Sequence, residues 1–288
     1  MRFRDQKEVD ALRNLYKPID RIAEEYANTL KKLVRKMKSL MEIAFVERLS
    51  PLIQQYENEQ KKITDNSVDD IRYLLTRYTN LINAEIEIIM IEIYRLFSPE
   101  ELSVIVANFI DIVDEAQRAI LLKELTDEYE TIPTETYEPI DESVDEILEE
   151  KEKEEKEYIP IIVDEYKERV QTGIVEALQT GLSTAAIFAL LLEWGENALN
   201  KAEFVAVNET GDLFDSLSQQ RQTNIGIDYF VWLTQQDSRV RESHAELDGH
   251  VFKWAEGAVG AGANGQDIWP KSEYNCRCFA AAYFDDEE

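Results

Sequence analysis

An apolar stripe at helical spacing constrains this chain more than any other feature. Val9, Leu12, Tyr16, Ile19, Ile22, Tyr26, Leu30, Leu33, Met37 and Leu40 recur at steps of three and four. Such a stripe lies on one side of a long α-helix and needs another surface to cover it. Pro18 falls inside the pattern, so a break or kink is expected there. A second stripe runs through Val68, Ile71, Leu75, Tyr78, Leu81, Ile82, Ile86, Ile89, Met90 and Ile93. Ser98-Pro99-Glu100-Glu101 then offers an N-cap, a first-turn proline and early carboxylates for a third helix, with Leu102, Ile105, Val106, Phe109, Ile112 and Val113 on its apolar side. Residues 1–126 therefore read as a helical bundle or elongated hairpin, with no visible chemistry.

Charge separates the segments that follow. The 288 residues carry 59 acidic against 31 basic side chains, net −28. That balance excludes a chain that binds duplex DNA over its whole surface, because phosphates would repel it. Residues 1–48 are the exception, with 12 basic and 8 acidic groups, net +4, so any DNA contact is expected there and weak. Residues 127–157 hold 15 acidic and 3 basic groups, and Pro133, Pro139 and the run from Glu149 to Glu157 mark 127–158 as an acidic linker, a hydrated spacer with at most a solvated helix. Met1-Arg2-Phe3-Arg4-Asp5-Gln6 has no apolar run behind it, unlike a secretion signal. The most apolar stretch, Thr184 to Trp194, is about half a membrane span and reads as a buried helix, so no membrane partner is expected.

From Ile161 helical patterning resumes over 163–223, punctuated by Gly173, Gly181 and Gly195. The period then changes to two. Tyr229 to Leu233 reads as a strand, His250 to Trp254 as a second after the Asp248-Gly249 turn signal, and Cys276 to Phe284 as a third. The expected architecture is mainly α with a small C-terminal α+β module, β-rich over 229–284 within a domain spanning 159–288.

That module contains every His and Cys in the chain: His244, His250, Cys276 and Cys278, spaced H-x5-H, a 25-residue loop, then C-x-C. Two imidazoles and two thiols satisfy a tetrahedral zinc ion, and a structural zinc would staple a module too small for a large core. The C-x-C pair is too close for an easy disulfide, and two cysteines suit a reducing compartment. The competing reading is a reduced Cys pair beside a hydrogen-bonded His. The glycines of Glu256 to Gln266 lack the Gly-Lys-Ser/Thr that a phosphate loop requires, so a surface loop is expected. Ser243 beside His244 has no nucleophile elbow around it, and no H-E-x-x-H occurs, so neither a serine hydrolase nor a zincin is indicated.

Trp232, then Asp237-Ser238-Arg239-Val240-Arg241, His244, Leu247-Asp248-Gly249, and Asn275-Cys276-Arg277-Cys278 form an ordered series. Together with Ala206-Val207-Asn208-Glu209-Thr210, which looks like the family's A-R-T-E helix motif, this resembles the phage Mu F-like minor head proteins over roughly residues 160–284. Val207 stands where the family generally has Arg. Some members have Cys at the positions of both Arg241 and His244, completing a zinc site; Arg241 cannot ligate because its guanidinium stays protonated. The resemblance therefore supports His244, Cys276 and Cys278 as ligands, with His250 the first candidate for the fourth and Asp248 or Asp237 behind it. It implies a structural, non-enzymatic virion protein assembled in the host cytoplasm. Its expected partner is the portal protein, with the capsid or scaffolding protein beside it, and its expected work is head assembly, DNA packaging or genome delivery. The alternatives are an enzyme or toxin carried on the same kind of delivery domain, and a non-viral zinc-stapled interaction module.

Overall fold

A computed structural model describes residues 6–63, 68–128 and 142–284. The elements in order are α1 (Gln6–Ala44), a π-helical turn (Phe45–Leu49), α2 (Ser50–Gln60), α3 (Val68–Tyr94), a 3-10 turn (Arg95–Phe97), α4 (Pro99–Glu128), α5 (Glu142–Gln179), α6 (Thr184–Asn224), β1 (Tyr229–Leu233), a one-turn helix α7 (Glu242–Ala245), β2 (Val251–Lys253) and β3 (Phe279–Tyr283). The expected mainly helical chain with a small C-terminal sheet is what forms. The three strands make an antiparallel sheet in the order β2-β1-β3, with Phe230 opposite Phe252 and Trp232 opposite Ala280.

Several local expectations change. Helix α1 runs unbroken through Pro18. Proline removes the bond to the carbonyl four residues back, but Asn14 and Pro18 both lie on the exposed side, where that carbonyl is open to solvent. Buried Tyr16 and Ile19 fasten the helix around the gap. Ser98 caps α4 as its sequence suggests, its Oγ accepting the Glu101 N–H at 3.4 Å. Gly181, at φ +72°, does end α5, with Leu182 N–H donating to the Ala177 carbonyl. Gly173 and Gly195 end nothing: an added Cβ would meet the Trp194 ring at Gly173 and the Lys38 chain at Gly195, so each is a point of close packing inside a helix.

The acidic linker needs the largest correction. Its residues 129–141 lie outside the described set, but 142–158 are the first part of α5. Val144, Lys151, Glu155 and Ile159 are buried along one side of that helix. Composition counts charges without regard to helical phase; here a lysine and a glutamate occupy two of the inward positions and face one another across one turn at 3.9 Å.

The chain divides into two compact units, each discontinuous in sequence. One, Asn28–Val104 with Lys156–Glu203, is helical. Met37, Met41, Leu49, Ile53, Tyr78 and Ile82 form its dry interior, and Lys31–Glu203, Lys38–Glu196 and Lys167–Glu87 pairs lie at its surface. The other, Met1–Ala27 with Ile105–Glu155 and Phe204–Glu288, holds the sheet. Its helices carry Tyr16, Phe214 and Phe109 into the core, and Arg221, fully buried on α6, bonds Asp114 and the Gln117 Oε1. No helix among the described residues is long and apolar enough to cross a membrane.

Candidate metal centre

The centre forms where three short pieces of the sheet-bearing unit meet. β1 buries Phe230 and Trp232 in a cluster with Leu247, Trp254, Ala258, Ile268, Cys276, Cys278 and Ala280. Cys276, Cys278 and Ala280 fall at alternate positions leading into β3, so the pleat sends all three toward one side. Opposite them, α7 turns just long enough to present His244; Arg241 starts the turn in extended backbone, and its carbonyl accepts the His244 N–H at 3.0 Å.

His244 Nδ1 lies 3.4 Å from Cys276 Sγ and 3.5 Å from Cys278 Sγ. All three donor atoms fall within 4.8 Å of one another, and the residues are 1%, 4% and 2% exposed. A zinc bound at ordinary lengths with tetrahedral angles would hold a nitrogen and a sulfur about 3.5 Å apart. The His244 nitrogen therefore already stands at ligand spacing from both sulfurs. Backbone N–H groups of Lys271 and Cys278 also point at Cys276 Sγ, at 3.4 and 3.5 Å.

These contacts set the charge state. A hydrogen bond from Cys278, joined by His244 and the two N–H groups and opposed by burial, holds the Cys276 thiol well below the usual range. Cys278 is pushed up in turn by its bond to Cys276 and by burial. The His244 imidazole is raised, first by Cys276, then against burial by Glu273. The indole N–H of Trp232 is buried without an oxygen or nitrogen acceptor, and Cys278 sulfur is the polar group it approaches. The Trp232 ring stands edge-on to the imidazole, centroids 5.4 Å apart. Donors arranged around sulfur suit thiolates.

Glu273 supplies the orienting contact. Its Oε2 lies 2.9 Å from His244 Nε2 and accepts a hydrogen bond there; in the neutral imidazole this assigns the proton to Nε2 and leaves the Nδ1 lone pair for a metal. Nothing in the spacing of His and Cys singles this residue out; its place three residues before Cys276 is the only hint.

His250 does not join the group. It precedes β2 and the cysteines precede β3, on opposite edges of β1, so roughly 9–10 Å of sheet separates them. Its carbonyl pairs with Trp232 N–H, and its ring lies along Phe252. The fallback carboxylates are engaged as well. Asp248 accepts from Arg13, Thr234 N–H and Gln236, while Asp237 accepts from Arg239 and Arg277. Among the described residues the centre has three protein donors.

The other motif residues build the frame. Arg241 bonds the Tyr274 carbonyl and lies 3.8 Å from Glu273, so it holds the segment that carries the cysteines. Asn275, in a left-handed conformation at φ 57°, donates its N–H to Asn208 Oδ1 at 3.2 Å, which joins the two separated motifs. Glu209 pairs with Lys151, and Val207 is half-buried. Gly249 sits at φ +77°, where an added Cβ would lie 3.3 Å from Val9.

Residues 168–281 match the family model described as Phage Mu protein F like protein. An uncharacterized protein of Haemophilus influenzae is 31% identical over 130 residues, a stretch covering 45% of this chain and 28% of the relative. The chain thus aligns with under a third of that relative's length. No solved structure matches significantly. The matched span contains His244, Glu273, Cys276 and Cys278 together with β1, β2 and the start of β3: over residues 168–281 this chain is similar to the phage Mu F-like proteins.

Proposed function

We propose that this chain is a structural minor head protein of a tailed bacteriophage, present in the virion at the portal, with portal protein as its principal partner. The observation that carries the reading is the Mu F-like match over residues 168–281. Head assembly, DNA packaging and genome delivery are the stages at which it acts, and capsid or scaffolding protein is its second neighbour. Any contact with packaged DNA comes from α1, where Lys32, Arg35 and Lys36 are exposed in a chain of net charge −28.

The same reading makes the His244, Cys276, Cys278 group a structural zinc site. Spacing and donor type fit zinc, which when bound would cross-link α7 to the approach to β3. Burial of all three donors favours a fastener over a reaction centre, because a substrate has no approach to them. That weighs against an enzyme or toxin reading of the module.

Purification of portal rings from assembling heads tests the proposal. The chain should co-purify with portal in substoichiometric amount and remain in mature particles. Complete, infectious particles assembled without it, together with no recovery on portal, would overturn the reading.

A further inference from the structure

Glu273 serves two masters, one on each oxygen. Oε2 accepts His244 Nε2 at 2.9 Å, and Oε1 accepts Ala263 N–H at 3.1 Å and Gln266 Nε2 at 3.3 Å. Ala263 and Gln266 belong to the glycine-rich loop between β2 and the cysteines. Ala258 and Ala261 anchor the start of that loop on the cluster around Trp232, but its outer part carries no buried side chain: residues 263–266 are exposed, as is Val259 at 69%. Its shape rests on a few bonds, including Gly260 N–H to Asp267 Oδ1, Asn264 N–H to Gln266 Oε1 and the pair Ala258–Ile268. Gly257, Gly260 and Gly265 all take positive φ, so the loop draws on the backbone freedom of glycine, and its exposed tip is held by hydrogen bonds such as Gly262 N–H to the Gln266 carbonyl rather than by side-chain packing.

We infer that Glu273 is a positioning residue that couples the metal centre to the 257–266 loop, so that seating a metal on His244 Nδ1 also orders the loop. The inference rests on the zinc reading above. A metal on Nδ1 fixes the imidazole plane and keeps the Nε2 proton aimed at Glu273. A carboxylate held on one oxygen presents the other in a fixed direction to Ala263 and Gln266. Without the metal the ring turns more freely, and the carboxylate loses the donor that sets its angle. Orienting carboxylates of this kind change metal affinity by about 10–100-fold when replaced. Here the same group also reaches outward, which gives the loop, an exposed element of the module, a shape that reports metal occupancy.

The test uses the full chain, stripped of metal and then titrated with zinc, with hydrogen exchange of peptides covering 257–266 followed alongside affinity. Zinc should slow exchange in that loop several-fold. Glu273→Gln keeps an oxygen for Ala263 but can offer an amide N–H to Nε2; it should weaken zinc about 10–100-fold, abolish the change in loop exchange, and alter the ligand-field spectrum of the cobalt(II) form. Gln266→Ala should loosen the loop while leaving zinc affinity within about twofold and the cobalt spectrum unchanged. If the wild-type chain takes up no zinc, both the zinc reading and the coupling fall. If it binds zinc but loop exchange does not respond, or Glu273→Gln binds as tightly with an unaltered cobalt spectrum, the coupling alone is overturned.

Discussion

Arg13 and Asp248 lie 235 positions apart and form a two-oxygen contact, Arg13 Nη2 standing 2.7 and 3.0 Å from the two carboxylate oxygens. The same guanidinium donates Nε to the Thr234 carbonyl at 2.7 Å, and Asp248 accepts the Thr234 N–H at 2.7 Å. Arg13 thus clamps the end of β1 to the turn that opens β2, from a helix whose sequence showed only an apolar stripe. Three further contacts continue along α1: Val9 against Gly249, Tyr16 donating to the Ala280 carbonyl at 3.0 Å, and Asp20 pairing with Arg277. The first turns of the chain are part of the sheet-bearing unit.

Replacing Arg13 with Ala leaves a carboxylate that is 14% exposed without its cation, and should cost roughly 2–3 kcal/mol in chemical denaturation. Asp248→Asn should cost a similar amount. The double variant should lose less than the sum, with a coupling on the order of 1–3 kcal/mol. Additive losses would mean that the two side chains do not share this interaction.

Metal dependence gives a second check. At a free zinc concentration of 100 times its dissociation constant, the folded state should gain about 2.7 kcal/mol. Chelator should therefore lower the Tm of the wild-type chain, and Cys276→Ser should have a lower Tm that chelator leaves unchanged. Elemental analysis should return about one zinc per chain. His250→Ala should retain that stoichiometry, since His250 stands across β1 from the donors. Loss of zinc from His250→Ala would place that imidazole in the coordination sphere after all.

Much of this was readable in one dimension, and the limit has a physical form. Strand and helix positions are local, so period placed β1 on Tyr229–Leu233 and the Ser98-Pro99 cap signal started α4 at Pro99. The grouping of His244, Cys276 and Cys278 was legible because few residue types bind soft metals and these all fall in the last 45 positions. Exclusion of His250 required the strand order β2-β1-β3, which spacing does not encode. Glu273 and Arg13 were hidden for a different reason: in a chain with 59 carboxylates and 31 cations, no single charge stands out until its partner is known. The linker was misread because a charge run carries no phase, whereas the buried side of α5 does.

Gly249 gives a prediction that separates backbone from packing. Its φ of +77° is strained for any residue with a Cβ, and that Cβ would also press on Val9 Cγ2 at 3.3 Å. Gly249→Ala should lose about 1–3 kcal/mol. In a Val9→Ala background the same change should cost only the backbone part, about 1–2 kcal/mol. An equal cost in both backgrounds would mean that α1 is not packed on this turn.

The last prediction concerns pH. Glu155 is fully buried on α5, where its Oε2 accepts the Tyr26 hydroxyl at 2.5 Å beside Lys151 and Glu209. Burial, reinforced by Glu209 and opposed by Tyr26 and Lys151, pushes its carboxyl up to about 8. The folded state therefore holds a proton that the unfolded chain gives up near its ordinary value of 4.5. Below that ordinary value both states are protonated and the contribution to stability is complete. As pH rises through the interval to about 8, the unfolded chain ionises first and the contribution is progressively lost. Glu155→Gln keeps an acceptor for Tyr26 and cannot ionise. It should match the wild-type chain near the lower end of that window and exceed it by roughly 2–4 kcal/mol above the upper end. Parallel denaturation curves for the two proteins across the window decide the matter: a constant difference would mean that Glu155 is already ionised in the fold, with Lys151 carrying its charge.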